Sequence, residues 1–183
     1  AIGLVGSEMC IRDSPKMFGF PVEGFIGTTN QKKGLEDNWI DCFLNLRIIP
    51  QLLSLKSRIL DKEIINKVKE KIKSELLNHK PINALVHGDL WSGNAGMDKN
   101  GKGVIFDPAS WWADNEVDIA MTKLFGGFRK EFYEEYHRIF PIKNGFEKRI
   151  IIYNFYHILN HANMFGGGYL KQVKDYVKAI LNM

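Results

Sequence analysis

The sequence predicts an α+β chain, mostly α-helical with one small β-hairpin inserted. Apolar residues recur at helical spacing in six separate stretches, as in Ile64, Val68, Ile72 and Leu76, four apart on one face. One region breaks that rhythm. The short apolar runs Ala84-Leu85-Val86 and Val104-Ile105-Phe106 flank Met97-Asp98-Lys99-Asn100-Gly101-Lys102, and Asn-Gly between strand-like runs is a strong hairpin signal. At 183 residues, 45% hydrophobic and 25% charged, the chain has the length and composition of one soluble domain with a real core.

Residues 1–14 are set aside, because Val-Gly-Ser-Glu-Met-Cys-Ile-Arg-Asp-Ser resembles a translated sequencing-adapter remnant, and the working domain is 15–183. Pro15 to Gln31 reads as irregular, with Gly and Pro scattered among Phe18, Phe20, Phe25 and Ile26. A helix starts near Glu36 on the stripe Trp39, Ile40, Phe43, Leu44 and Leu46, with Trp39 in the core, and Pro50 breaks or restarts it. Asp61 is a good N-cap for a second helix running to about Asn78. Beyond the hairpin, helices are expected over about 116–125, 129–140, 146–164 and 169–181. Pro141 closes the second of these, and Gly166-Gly167-Gly168 stops the third.

The net charge of +4 owes much to Lys62, Lys67, Lys69, Lys71 and Lys73, which alternate with Glu63, Glu70 and Glu75 and lack interleaved aromatics. That pattern is a solvated helix face, so no nucleic-acid partner is expected. Two cysteines, Cys10 and Cys42, make no disulfide framework. With no apolar run of membrane-span length and no basic signal-peptide start, the expectation is a cytoplasmic protein with no membrane partner.

The chemistry concentrates in 84–112. His87, Asp89 and Asn94 stand as H-x-D-x-x-x-x-N after one strand-like run, and Asp107 follows the other, eighteen residues beyond Asp89. A hairpin between them folds Asp107 back beside Asn94, so two carboxylates and an amide oxygen face one point. Phosphoryl transfer from a nucleotide needs that set. Asp89 would orient the attacking hydroxyl and accept its proton, and Asn94 and Asp107 offer hard oxygens to Mg²⁺. His87 would brace the loop, with Gly88 and Gly93 allowing tight turns.

The spacing resembles the protein-kinase catalytic loop, with Asp107-Pro108-Ala109 where kinases carry Asp-Phe-Gly. The wording His-Gly-Asp-Leu-Trp-Ser-Gly-Asn, followed by Asp-Pro-Ala-Ser, resembles the fructosamine kinases, also called ketosamine-3-kinases. So do Glu116-Val117-Asp118-Ile119-Ala120, Leu124-Phe125-Gly126-Gly127-Phe128 and Leu159-Asn160-His161. The resemblance implies ATP and Mg²⁺ as cofactors, and phosphorylation of the 3-hydroxyl of a small-molecule ketosamine or a glycated protein lysine. It also implies the C-terminal lobe of a protein-kinase-like fold. Nothing before Asp89 supplies, in order, a Gly-rich strand loop, a phosphate-reaching Lys and its Glu partner. The N-terminal nucleotide lobe is therefore expected to be missing, the fragment alone inactive, and an apolar surface exposed around Phe18, Phe20 and Phe25.

Trp91, two residues past Asp89, is read as a stacking face for a sugar ring, and at least one of Trp111 and Trp112 as core. His157 and His161 share a helix face, but Ile158 stands where a zinc helix has Glu and no third ligand is evident, so a packed or hydrogen-bonded pair is expected. Family likeness favours His161 as a wall of the sugar pocket. Glu116 and Asp114 are candidates for contacting the substrate amine, and Asp118 for capping and loop support. Competing functions are another small-molecule kinase (for aminoglycosides, choline or thioribose), a metal-dependent phosphohydrolase using the same four residues, and a non-catalytic binding module.

Overall fold

A computed structural model describes residues 16–55 and 59–183; the stretch 1–14 read as foreign lies outside the described residues. Helix and sheet are mixed. Three short strands, β1 (Phe18–Phe20), β2 (Gly24–Ile26) and β3 (Thr29–Gln31), occupy the segment expected to be irregular, and β4 (Gly34–Glu36) follows it. That expectation is corrected for a physical reason. Each strand is three residues long, too short for a period-2 pattern; β2 and β3 pair with each other, and β1 is fixed by more distant partners. β1 pairs with β4 and also, through Gly19 opposite Trp112, with β8 (Trp111–Asp114) nearly a hundred residues on. β5 (Asn83–Val86) completes an antiparallel sheet of order β4-β1-β8-β5. The expected hairpin forms between β6 (Ala95–Met97) and β7 (Gly103–Ile105), with Asp98 Oδ1 accepting the Asn100 and Lys102 amides across the turn. The fold class holds in part, because the sheet extends well past that one hairpin.

The first helix, α1 (Trp39–Cys42), is capped by Asn38 and runs into a π-helical stretch, Phe43–Ile48; Pro50 then sits in the first turn of α2 (Ile49–Ser54). Pro50 thus restarts the helix, and the proline and the wide turn occur together because proline cannot supply a helical amide. In α3 (Lys62–Leu76) the Asp61 carboxylate accepts the Ile64 N–H at 2.7 Å, and Val68, Ile72 and Leu76 are buried as their spacing requires. The remaining helices are α4 (Glu116–Thr122), α5 (Lys130–Ile139), α6 (Phe146–Phe165) and α7 (Gly168–Leu181). α6 is the spine: residues 152–160 are buried on every side, and α4 and α7 pack along it.

An aromatic knot of Trp39, Phe43, Trp111 and Tyr153 joins α1, β8 and α6, with ring centroids 5.3–5.8 Å apart, and the Arg47 guanidinium lies 4.1 Å over Trp111. Trp39 and Trp111 are core as expected, and Trp112 is half-buried. Of the three phenylalanines expected to form an apolar surface, Phe18 is buried, Phe20 packs half-buried on the core, and only Phe25 is exposed. Among the described residues no helix is long and apolar enough to cross a membrane.

Candidate active site

The site begins where β5 ends. The chain turns at Gly88 with φ +81, and a Cβ there would stand 2.2 Å from the Ala109 carbonyl oxygen, so only glycine fits. That close approach lets the Ala109 amide donate to the His87 carbonyl at 2.8 Å, pinning the loop after β5 to the loop before β8. From α4, the Asp118 carboxylate accepts the His87 N–H at 2.7 Å and the Gly88 N–H at 2.9 Å. Asp118 supports the loop, as its sequence position implied.

His87 is buried and braces two strands of the loop at once. Its Nε2 lies 2.9 Å from the Phe106 carbonyl, which can only accept, so the proton is on Nε2. Nδ1 is then free to accept the Asp89 amide at 3.3 Å. Asn94, in the short turn Ser92–Asn94, donates from Nδ2 to the Asp89 carbonyl at 2.9 Å and to Asp89 Oδ2 at 3.2 Å, which leaves its own Oδ1 turned away. The Phe106 amide donates to the Asn94 carbonyl at 3.1 Å, so the hairpin returns the chain to this point. Asp107 follows with φ +53, the one non-glycine residue in the left-handed region among those described. Such a conformation costs roughly 1–2 kcal/mol and gathers at functional sites.

Asp89 is half-buried, and burial raises its carboxyl above the usual range. His161, His87 and the Asn94 hydrogen bond pull it back, and the charge of Asp107 adds a smaller push upward. Asn94 thus touches Asp89, the chain returns beside it at Phe106, and Asp107 stands near enough for its charge to act on Asp89. Beside them stands an aromatic wall. Trp91 meets Phe125 edge-on at 6.0 Å, and Phe125 lies 5.0 Å from His161. Gly93 sits beneath the Trp91 indole, where a Cβ would come within 2.3 Å of the ring. His161 donates from Nδ1 to the His157 carbonyl at 2.8 Å.

Other candidates fall elsewhere. Glu116 does not join the Asp89 group: it is buried, and Arg149 takes both of its carboxylate oxygens, Nη2 to Oε1 at 2.9 Å. Asp114 is likewise committed, to His79 at 2.6 Å and the Tyr153 hydroxyl at 2.7 Å. Neither carboxylate is available to a substrate amine. No sequence signal pointed to Arg149, 33 residues from its partner. His79, Asp114 and Glu116 lie close enough to suggest a cation site, but the Arg149 guanidinium already neutralises Glu116, so a metal would have to expel it. His157 is fully buried with neither ring nitrogen hydrogen-bonded, a packed histidine rather than a ligand. Phe125, read only as part of a signature, proves to be the ring that joins Trp91 to His161.

The fold recurs in solved structures. The crystal structure of "Putative fructosamine-3-kinase" from Haemophilus somnus superposes with a TM-score of 0.82 over 91% of this chain and 57% of its own, at 27% identity. The mixed helix-and-sheet fold thus matches that structure. By sequence, "Probable ketoamine kinase slr1563" from Synechocystis is 45% identical over 91% of this chain and 56% of the relative. "Ketosamine-3-kinase" from mouse is 37% identical over 90% of this chain and 54% of the relative. The fructosamine kinase family profile matches residues 7–183, and the chain belongs to that family. It spans a little over half the length of the curated relatives it matches.

Proposed function

We propose that this chain carries the base-and-metal side of an ATP-dependent kinase for the 3-hydroxyl of ketoamines, free or on glycated lysine. The observation that supports it best is the Asn94–Asp89 hydrogen bond at a half-buried Asp89, with Asp107, in a strained left-handed conformation, close enough for its charge to act on Asp89. Asp89 accepts the proton of the substrate hydroxyl as that oxygen forms its new bond to phosphorus and the bond to the departing diphosphate breaks. Burial that raises its proton affinity suits a base working near neutral pH. His87 and Asp118 act through the backbone, fixing the loop that carries Asp89. Asn94 Oδ1 and the Asp107 carboxylate are a donor set that fits Mg²⁺, which prefers few oxygen ligands besides phosphate. When bound, that ion neutralises phosphate charge. Trp91, Phe125 and His161 line the sugar side.

The Gly-rich loop and Lys–Glu pair that complete a kinase nucleotide grip are not found in order between residues 15 and 88, so the chain as given is expected to be silent alone. The test compares transfer of labelled phosphate from ATP to fructosyl-lysine by this chain and by a form lengthened at its N-terminus with the matching segment of the Synechocystis relative. Only the longer form should turn over. In it, Asp89→Asn should lower kcat by about 10²–10⁴ with nucleotide affinity kept. A variant keeping more than about half of the turnover would remove Asp89 from the base role. Release of phosphate from phosphomonoesters without nucleotide would instead favour the phosphohydrolase reading.

A further inference from the structure

Phe125, the ring that joins Trp91 to His161, rides on a loop built to move. α4 ends at Thr122 and α5 begins at Lys130, and between them Gly126 and Gly127 both take left-handed conformations, φ +91 and +77. A Cβ on Gly126 would meet nothing within 4 Å, so no packing restrains that point. Two adjacent glycines give a backbone its widest choice of conformations, and an untied loop of this kind would spread Phe125 over many positions. The loop is tied, by one hydroxyl. The Phe128 amide donates to Tyr133 Oη at 3.0 Å, that hydroxyl donates to Thr122 Oγ1 at 3.1 Å, and Thr122 donates to the Ile119 carbonyl at 2.8 Å. Each group donates onward in one direction, an order in which hydrogen bonds strengthen one another, and the series ends on a carbonyl of α4. Thr122 is fully buried, so the anchor is fixed.

Tyr133 Oη thus spans Thr122 and Phe128, and Phe125 stands midway between those two residues. The Tyr133 ring is placed independently of its hydroxyl: the Lys123 ammonium lies 4.7 Å over it, and Phe132 meets it edge-on at 5.2 Å. We infer that Tyr133 is a positioning residue for the wall beside Asp89, its hydroxyl closing the glycine loop so that Phe125 stands against Trp91 and His161. Holding the rings in place beforehand removes an ordering cost from whatever binds on them. Ketoamine affinity should therefore depend on a hydroxyl that touches no substrate. That consequence rests on the sugar-side reading proposed above; the positioning of Phe125 does not.

The test is fluorine NMR of the chain labelled with 5-fluorotryptophan, with the Trp91 signal assigned by its loss in Trp91→Phe. Trp91 reports on Phe125, while the buried Trp39 and Trp111 report on the core. Tyr133→Phe removes the hydroxyl and keeps the ring, so it should move or broaden the Trp91 signal and leave the two core signals in place. Thr122→Val, which removes the acceptor, should do the same, and Thr122→Ser, which keeps it, should match the wild type. Titration with fructosyl-lysine should shift the wild-type Trp91 signal to saturation. Tyr133→Phe and Thr122→Val should each weaken that binding about fivefold, the weight of one net hydrogen bond, against less than about twofold for Thr122→Ser. An unmoved Trp91 signal in Tyr133→Phe, movement of all the tryptophan signals together, or unchanged affinity for fructosyl-lysine would overturn the positioning role and leave the sugar-side reading standing. If fructosyl-lysine does not shift the wild-type signal, the sugar-side reading itself fails, and the effect on affinity falls with it.

Discussion

Acid should loosen this fold first at His157. The residue is fully buried in the middle of α6, neither ring nitrogen has a partner, and burial with the neighbouring His161 pushes its pKa down from 6.5 to about 3. Between those two values the unfolded chain binds the proton and the folded chain refuses it. Stability is therefore complete above about pH 6.5 and falls as pH drops toward 3. For one such site the loss is about 0.8 kcal/mol at pH 6 and about 2 kcal/mol at pH 5, against a total that for most domains is only about 5–15 kcal/mol. His157→Leu keeps the apolar bulk and removes two unpartnered nitrogens, so at pH 7.5 it should lie within about 1 kcal/mol of wild type. The hydrogen bond from His161 survives, because it goes to the His157 backbone carbonyl. The assay is urea unfolding of both proteins at pH 7.5, 6.0 and 5.0. The variant's advantage should grow by about 2 kcal/mol between the first and last. Parallel losses in the two proteins would show that His157 is not buried neutral, and the reasoning would fail.

Three further changes separate the roles assigned above. Asp118→Ala strips the acceptor from the His87 and Gly88 amides; unfolding stability should drop by about 2 kcal/mol, and amide exchange at those two positions should rise. Unchanged exchange there would show that the loop does not hang on α4. Trp91→Ala should leave the melting temperature nearly unchanged, since the ring is 36% exposed, yet raise KM for a fructosyl-amine in the lengthened form with KM for ATP unaltered. A collapse of stability would return Trp91 to the core. Arg149→Met should cost about 3–5 kcal/mol by leaving Glu116 buried and unpaired, and adding Glu116→Leu should recover most of it. If Glu116→Leu alone abolished ketoamine binding while the fold persisted, the substrate role would be restored to Glu116.

What the sequence alone determined is local. Periodicity and caps placed α3 through α7 within a few residues, because Asp61, Pro141 and the glycines at 166–168 act on their own neighbours. The spacing of Asn94 and Asp107 was enough to return the chain to Asn94 just before Asp107, because a hairpin of fixed length leaves the chain one way to return. Tertiary structure decided everything that depends on distant pairing. β1 exists only because it meets β4 and β8, β2 and β3 because they meet each other, and three residues carry no period by which to announce themselves. Glu116 looked like a substrate ligand from its place after the metal loop. It became a buried structural charge because α6 presents Arg149 to it, and a buried carboxylate must take the nearest cation. The wall from Trp91 through Phe125 to His161 belongs to the same category: three rings from three separate stretches, aligned only when α4 packs along α6.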